Sequence, residues 1–342
     1  MRFRSKCKTG KHKELIISHP GSYIYLSSAQ WRARIENADA AAAKCRLCPR
    51  LCKVDRLKGE RGYCGAPDRM IISSIFPHHG EEPPISGSMG SGTVFFSYCS
   101  LKCCFCQNHQ ISHEYEGRHY SEEELAVKLI NLQELGCHNI NLVTPTHFLP
   151  WILRSIQIAA GGGLELPIVY NCGGYELAET LSILDGIVDI YLPDMKYGRN
   201  GPAREYSNAS DYVEINREAV REMFRQTGPL RTGENGTAYR GLCIRHLVLP
   251  ENRSCGRDVL DFLKSNFDPS DISISLMAQY RPLYKAPDFP LINRTLTVEE
   301  YEGIRTEFID SGFDGFYQEI SRIDRNFLID FKKRKEERLT GE

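Results

Sequence analysis

From Thr93 to Met277 short apolar runs alternate with amphipathic stretches, and this alternation restricts the fold more than any other feature of the chain. Thr93–Ser97, Asn139–Val143, Pro167–Tyr170, Val188–Leu192, Leu242–Leu249 and Ile272–Met277 read as strands. The intervening segments read as helices: one opening at Ser121, then Trp151–Ala160, Ala178–Leu184, Asp211–Gln226 and Arg257–Phe267. Ser121-Glu-Glu-Glu124 and Thr297-Val-Glu-Glu300 are capping boxes, in which a hydroxyl and a carboxylate satisfy orphan N–H groups at a helix start. Alternation of this kind specifies βα units around a parallel sheet. About six units fall short of the eight in a closed barrel. The predicted fold is therefore α/β, a partial (βα)6 TIM barrel over residues 93–330. Residues 1–92 read as an N-terminal extension, with a helix over Ala38–Ala43, a Cys-rich module, and a Gly- and Pro-rich loop at 65–93. Residues 331–342 read as a charged, solvated tail.

The cysteines are unevenly placed. Of thirteen, four fall between Cys45 and Cys64 and four between Cys99 and Cys106. Clusters of this kind point to metal binding rather than to a disulfide framework. Cys99-Ser-Leu-Lys-Cys103-Cys-Phe-Cys106 is C-x3-C-x2-C with Cys104 as an extra. Three thiolates on one tight loop can hold three corners of an iron–sulfur cubane and leave the fourth iron open. Adjacent residues in so short a loop point apart, so Cys103 is expected to face the iron and Cys104 to face away. The loop follows the first strand of the series, which puts it at the face where parallel α/β folds carry their sites.

Composition narrows the alternatives. Lys plus Arg is 43 against 44 for Asp plus Glu, a balance that gives no general pull toward nucleic acid or anionic lipid. No apolar stretch approaches the ~18 residues of a spanning helix, and the basic start Met1–Lys8 has no apolar core behind it. A cytoplasmic protein without a membrane partner is the expectation.

The central motif, placed after the first strand of a βα series, resembles the radical S-adenosylmethionine (SAM) superfamily. Gly90-Ser-Gly-Thr-Val-Phe-Phe-Ser97 with the cysteines and Gln107-Asn108 is similar to glycyl-radical-enzyme activases, relatives of the pyruvate formate-lyase activating enzyme. Asn141–His147, Asp189–Tyr197 and Ile244–Pro250 carry the same resemblance, which spans roughly residues 45–320. It implies a [4Fe-4S] cluster on Cys99, Cys103 and Cys106, and SAM chelated at the open iron. Reductive cleavage would then give a 5′-deoxyadenosyl radical that abstracts hydrogen, with flavodoxin or ferredoxin as reductant. By position it implies Thr144 and Thr146 at the SAM amino group, in place of the Gly-Gly-Glu of activases. Asn171 stands where activases have the first carboxylate of a cation site, and Asp194 is the second. Lys196 completes an Asp-Met-Lys turn, and Arg245 is placed near the SAM carboxylate.

Cys45-Arg-Leu-Cys48-Pro-Arg-Leu-Cys52, followed by Cys64, is C-x2-C-x3-C-x11-C. Four thiolates in so short a span can close a zinc site or an auxiliary iron–sulfur cluster, and both stay open. In Pro77-His-His-Gly-Glu-Glu-Pro-Pro84, a His with a Glu could bind metal. A rigid connector with surface carboxylates is the favoured reading.

Three functions remain. The first is a radical SAM enzyme acting on a protein, including installation of a glycyl radical in a partner enzyme. The second is radical SAM modification of a small molecule or RNA. The third is a non-catalytic iron–sulfur or zinc protein.

Overall fold

The computed structural model describes residues 18–320 and 329–334; the basic N-terminus, Cys7 and the tail beyond Arg334 lie outside the described residues. Its helices are α1 (Ser28–Ala43), α2 (Pro83–Ser86), α3 (His109–Ser112), α4 (Glu122–Glu134), α5 (Leu149–Gly161), α6 (Ala178–Ile183), α7 (Asn200–Ser207), α8 (Tyr212–Thr227), α9 (Gly256–Asn266) and α10 (Val298–Asp310). Its strands are β1 (Met70–His78), β2 (Ser91–Phe96), β3 (Arg118–Tyr120), β4 (Ile140–Val143), β5 (Ile168–Cys172), β6 (Ile190–Pro193), β7 (Arg231–Thr232), β8 (Ala238–Leu247), β9 (Ser273–Met277) and β10 (Gly315–Tyr317).

The sheet runs β10-β9-β8-β6-β5-β4-β2-β1-β3, with β7 pairing only with β8. Every pair from β2 to β10 is parallel. The path does not close, so the six expected parallel strands form a partial barrel, extended by β10. Both predicted capping boxes are present, at Ser121 with Glu124 and at Thr297 with Glu300. A third, Ser27 with Gln30, starts α1.

The stretch read as loop at 65–93 is a correction. Met70–His78 is a largely buried strand, antiparallel to both β2 and β3. Pro77 disguised it, because proline cannot donate to a ladder. Among the described residues β3 pairs with Met70–Ile72, and no strand lies on the outer side of Pro77.

Side chains of β2 alternate between two cores, as a pleated strand requires. Val94 and Phe96 pack outward with Leu125, Leu129 and Ile152 of the helical layer. Phe95 points inward to Phe76, Ile111, Val143 and Phe331. A second inner cluster, including Val169, Ile190, Leu192 and Cys243, fills the barrel further along. Phe331 is fully buried and packs edge-on against Phe95 at 5.1 Å, while Lys332, Lys333 and Arg334 after it are exposed. No helix among the described residues is long and apolar enough to cross a membrane.

Candidate active site

A cavity of about 530 Å3 opens on the concave side of the sheet. Its walls come from the C-terminal ends of the parallel strands: Phe95 and Phe96 of β2, Val143 and Thr144 at β4, Asn171 of β5, Asp194 after β6, Arg245 of β8 and Met277 of β9. This follows from the topology, since in a parallel sheet all these ends share one face.

The cysteine loop begins with a backbone reversal. β2 ends at Phe96, and Tyr98 has φ 72°, in the left-handed region that non-glycine residues rarely visit. Tyr98 is held there by its N–H bond to Ile111 O (2.9 Å) and by stacking on Tyr115 at 4.4 Å. Beyond this turn Cys99, Cys103 and Cys106 all line the cavity, and Cys104 does not. The Cys104 backbone is clamped on both sides, its N–H donating to Tyr206 O and its carbonyl accepting from Lys285 N–H, each at 2.8 Å.

Each of the three loop sulfurs that face the cavity has a polar neighbour. Leu101 N–H donates to Cys99 Sγ (3.4 Å), Ser207 Oγ donates to Cys103 Sγ (3.0 Å), and Ser112 Oγ lies 3.2 Å from Cys106 Sγ. Burial pushes the Cys99 thiol up to about 12 and the Cys106 thiol up to about 11. Such thiols hold their protons at neutral pH unless a metal draws them off. Among the described residues no three His, Cys, Asp or Glu side chains are gathered for a single metal ion. A cubane binds each thiolate at a different iron, so its ligands stand further apart than those of one ion. Three soft donors on one cavity wall, each with a hydrogen-bonding neighbour, fit such a cluster.

Lys196 pairs with Asp194 on the same wall. Burial alone would lower the Lys196 pKa, but Asp194 outweighs it and the net shift is upward, so the ammonium stays charged beside the cysteines. Arg245 is already engaged. It binds Glu82 through Nε and Nη2, pairs with Glu81, and donates from Nη1 to Asn171 Oδ1 at 3.2 Å. The carboxylates read as exposed are therefore buried, with Glu82 7% accessible, and the favoured connector reading of Glu81 and Glu82 is corrected. The signal for them was Arg245 itself, since a cation inside a strand series needs an acid partner.

Thr144 reaches the cavity, with φ 56°, but Thr146 does not. Thr146 is buried behind it, its hydroxyl donating to Glu176 at 2.9 Å and lying 2.9 Å from Tyr170 Oη. The cavity thus brings together Cys99, Cys103, Cys106, Thr144, Asn171, Asp194, Lys196 and Arg245, and leaves out Thr146. Cys45, Cys48, Cys52 and Cys64 are also away from it, although Arg50 beside them donates to Ser100 O at 2.9 Å.

The uncharacterized protein MJ0674 of Methanocaldococcus jannaschii is 33% identical over 279 residues, covering 79% of this chain and 75% of that protein. The chain belongs to the family of MJ0674. No family model matches it. Among solved structures it is similar to methylornithine synthase (PylB), at 12% identity and TM-score 0.42 over 93% of this chain and 87% of that one. It is also similar to Streptococcus suis SuiB, at 11% identity and TM-score 0.44 over 70% and 55% of the two chains. A third is TYW1 with a lysine-pyruvate adduct bound, at 10% identity and TM-score 0.40 over 64% and 73%.

Proposed function

We propose that this chain is a radical SAM enzyme. The observation that supports it most is the division of the central motif: Cys99, Cys103 and Cys106 share the cavity wall, and Cys104 is turned away. In this reading Cys99, Cys103 and Cys106 hold a [4Fe-4S] cluster, with SAM beside Thr144, Asn171, Asp194 and Lys196. When bound, the cluster supplies one low-potential electron for reductive cleavage of SAM, delivered to it by a flavodoxin or ferredoxin.

The chain's own residues set the conditions. Lys196 keeps a positive charge beside the thiolates and offsets the negative charge that ligation brings. Phe95, Val143, Ile111 and Met277 make part of the wall apolar and keep water away from reactive species. Arg245 is a positioning residue, fixing Glu81, Glu82 and Asn171 rather than reaching for the SAM carboxylate.

The substrate is a protein loop, of the kind a glycyl-radical-enzyme activase acts on. A cavity of about 530 Å3 suits one small-molecule ligand. With SAM in it, a substrate reaches in from the mouth.

The test is anaerobic reconstitution with iron and sulfide, then dithionite and SAM. Release of 5′-deoxyadenosine is expected, and Cys103→Ala should abolish it. An iron-loaded wild type that releases none would end the proposal. Feeding a glycine-loop peptide or partner enzyme and following it by mass spectrometry tests the substrate class.

A further inference from the structure

Arg56 is a buried cation without an acid. It has no accessible surface. Nη2 donates to Pro67 O (2.6 Å) and His147 O (3.3 Å), Nη1 lies 3.9 Å from Cys64 Sγ, and Nε has no hydrogen-bond partner among the described residues. It forms no ion pair among the described residues. An uncompensated guanidinium in a protein interior is costly, and such charges are normally paired. Two buried cysteines that can become anionic lie by it, Cys64 at Nη1 and Cys45, and these adjoin buried Cys48 and half-buried Cys52.

The local backbone is shaped around those sulfurs. Leu51 (φ 43°) and Lys53 (φ 61°) are both left-handed and flank Cys52, strain that is held only where surrounding structure demands it. Tyr63 N–H donates to Cys52 Sγ at 3.2 Å. A Cβ on Gly62 would stand 2.7 Å from that sulfur, so only glycine lets the loop pass so close. Cys45 N–H to Val54 O (2.8 Å) and Lys53 N–H to Cys45 O (2.9 Å) tie the ends of the first loop together.

Among the described residues no three His, Cys, Asp or Glu side chains are gathered closely enough for a single metal ion. A single zinc ion needs all four on itself; a cubane takes one sulfur at each iron. We propose that Cys45, Cys48, Cys52 and Cys64 hold an iron–sulfur cluster of their own, with Arg56 as its buried counter-charge. The site stands independently of the function proposed for the Cys99 loop. The hydrogen bond from Arg50 to Ser100 O joins the two cysteine loops directly.

The test removes the other site. The C99A/C103A/C106A variant, confirmed as folded by circular dichroism and reconstituted anaerobically with iron and sulfide, should retain about four irons and four sulfides per chain. Its cluster should give an electron paramagnetic resonance signal on reduction. A folded triple variant that binds no iron, or only zinc when both metals are offered, overturns the proposal. If that variant does not fold, C45S/C64S in the full chain decides: iron should fall by about half, and unchanged iron overturns it. R56Q keeps donors for the carbonyls and removes the charge. The midpoint potential of the N-terminal cluster should then move to more negative values, and an unmoved potential overturns the counter-charge. These readouts need no SAM turnover, so failure of the radical SAM reading would appear separately, as absent 5′-deoxyadenosine with both clusters loaded.

Discussion

Arg245 meets Glu82 as a fork, Nε donating to Oε1 and Nη2 to Oε2, both at 2.8 Å. The pair joins the end of β8 to the segment just after β1 across the concave face of the sheet, and Glu81 shares the same guanidinium.

Truncating that guanidinium leaves two buried carboxylates unpaired. Arg245→Ala should cost about 3–5 kcal/mol of unfolding free energy, measured by urea denaturation. Arg245→Lys should recover only part of it, since an ammonium cannot reproduce the fork. Burial alone would raise the Glu82 pKa, but Arg245 outweighs it and holds the carboxyl below its ordinary value of 4.5. A carboxylate depressed in the fold stabilises fully above its unfolded value, and that stabilisation is lost as pH falls through the folded one. Without Arg245 the largest offset to burial at Glu82 is gone, so less stability should be lost between neutral and acid pH in Arg245→Ala than in the wild type, and an equal loss would show that the pair does not control it.

Cys104 is off the cavity, and Cys103 is on it. Cys104→Ala should keep the iron content and visible absorbance of the reconstituted wild type, at a stability cost on the order of 1 kcal/mol. Cys103→Ala should lose the cavity cluster. The reverse pattern would mean that the loop presents its cysteines in another register.

Gly174, with φ 72°, lies where a Cβ would come within 2.0 Å of Asp194 O and 2.3 Å of Asn216 Nδ2. Gly174→Ala should destabilise the chain by at least ~2 kcal/mol, from strained backbone plus overpacking. It should also disturb the Asp194–Lys196 pair more than a conservative change at an exposed helix position would. Thermal unfolding with a SAM-binding assay checks both effects.

Burial depresses the His246 pKa to about 4, although its Nδ1 is hydrogen-bonded to Met195 O at 2.6 Å. The unfolded chain takes up this proton near pH 6.5, and the fold resists doing so. Its share of the stability is full above pH 6.5 and is lost as pH falls toward about 4, on the order of 3 kcal/mol. His246→Phe should flatten that part of the stability–pH curve, measured by urea midpoints at several pH values.

The parallel strands and both predicted capping boxes were legible because their signals are local. Apolar alternation reports a strand, and Ser121 with Glu124 reports a helix start. β1 was not, because Pro77 and the glycines nearby imitate a loop, and its strand character depends on β2 beside it. The candidate site was legible as far as side-chain type and strand end fix it: the cysteines, Asp194, Asn171 and Thr144. The engagement of Arg245 by Glu81 and Glu82 was hidden, because more than 160 residues separate the partners and no local pattern joins them. Thr146 stands off the cavity because its hydroxyl is taken up by Glu176 and Tyr170, partners that no local pattern joins to it.

The cysteine loop takes its form from backbone bonds to distant carbonyls and amides: Lys102 to Ser207, Cys104 to Tyr206, and Lys285 to Cys104. None of these partners is a sequence neighbour, and the last follows β9. Contacts of such high sequence separation form late, after the loop-closure entropy has been met. The loop is thus shaped by the finished barrel, and a nascent chain of two hundred residues would carry every cavity cysteine and still lack the grip that sets them apart.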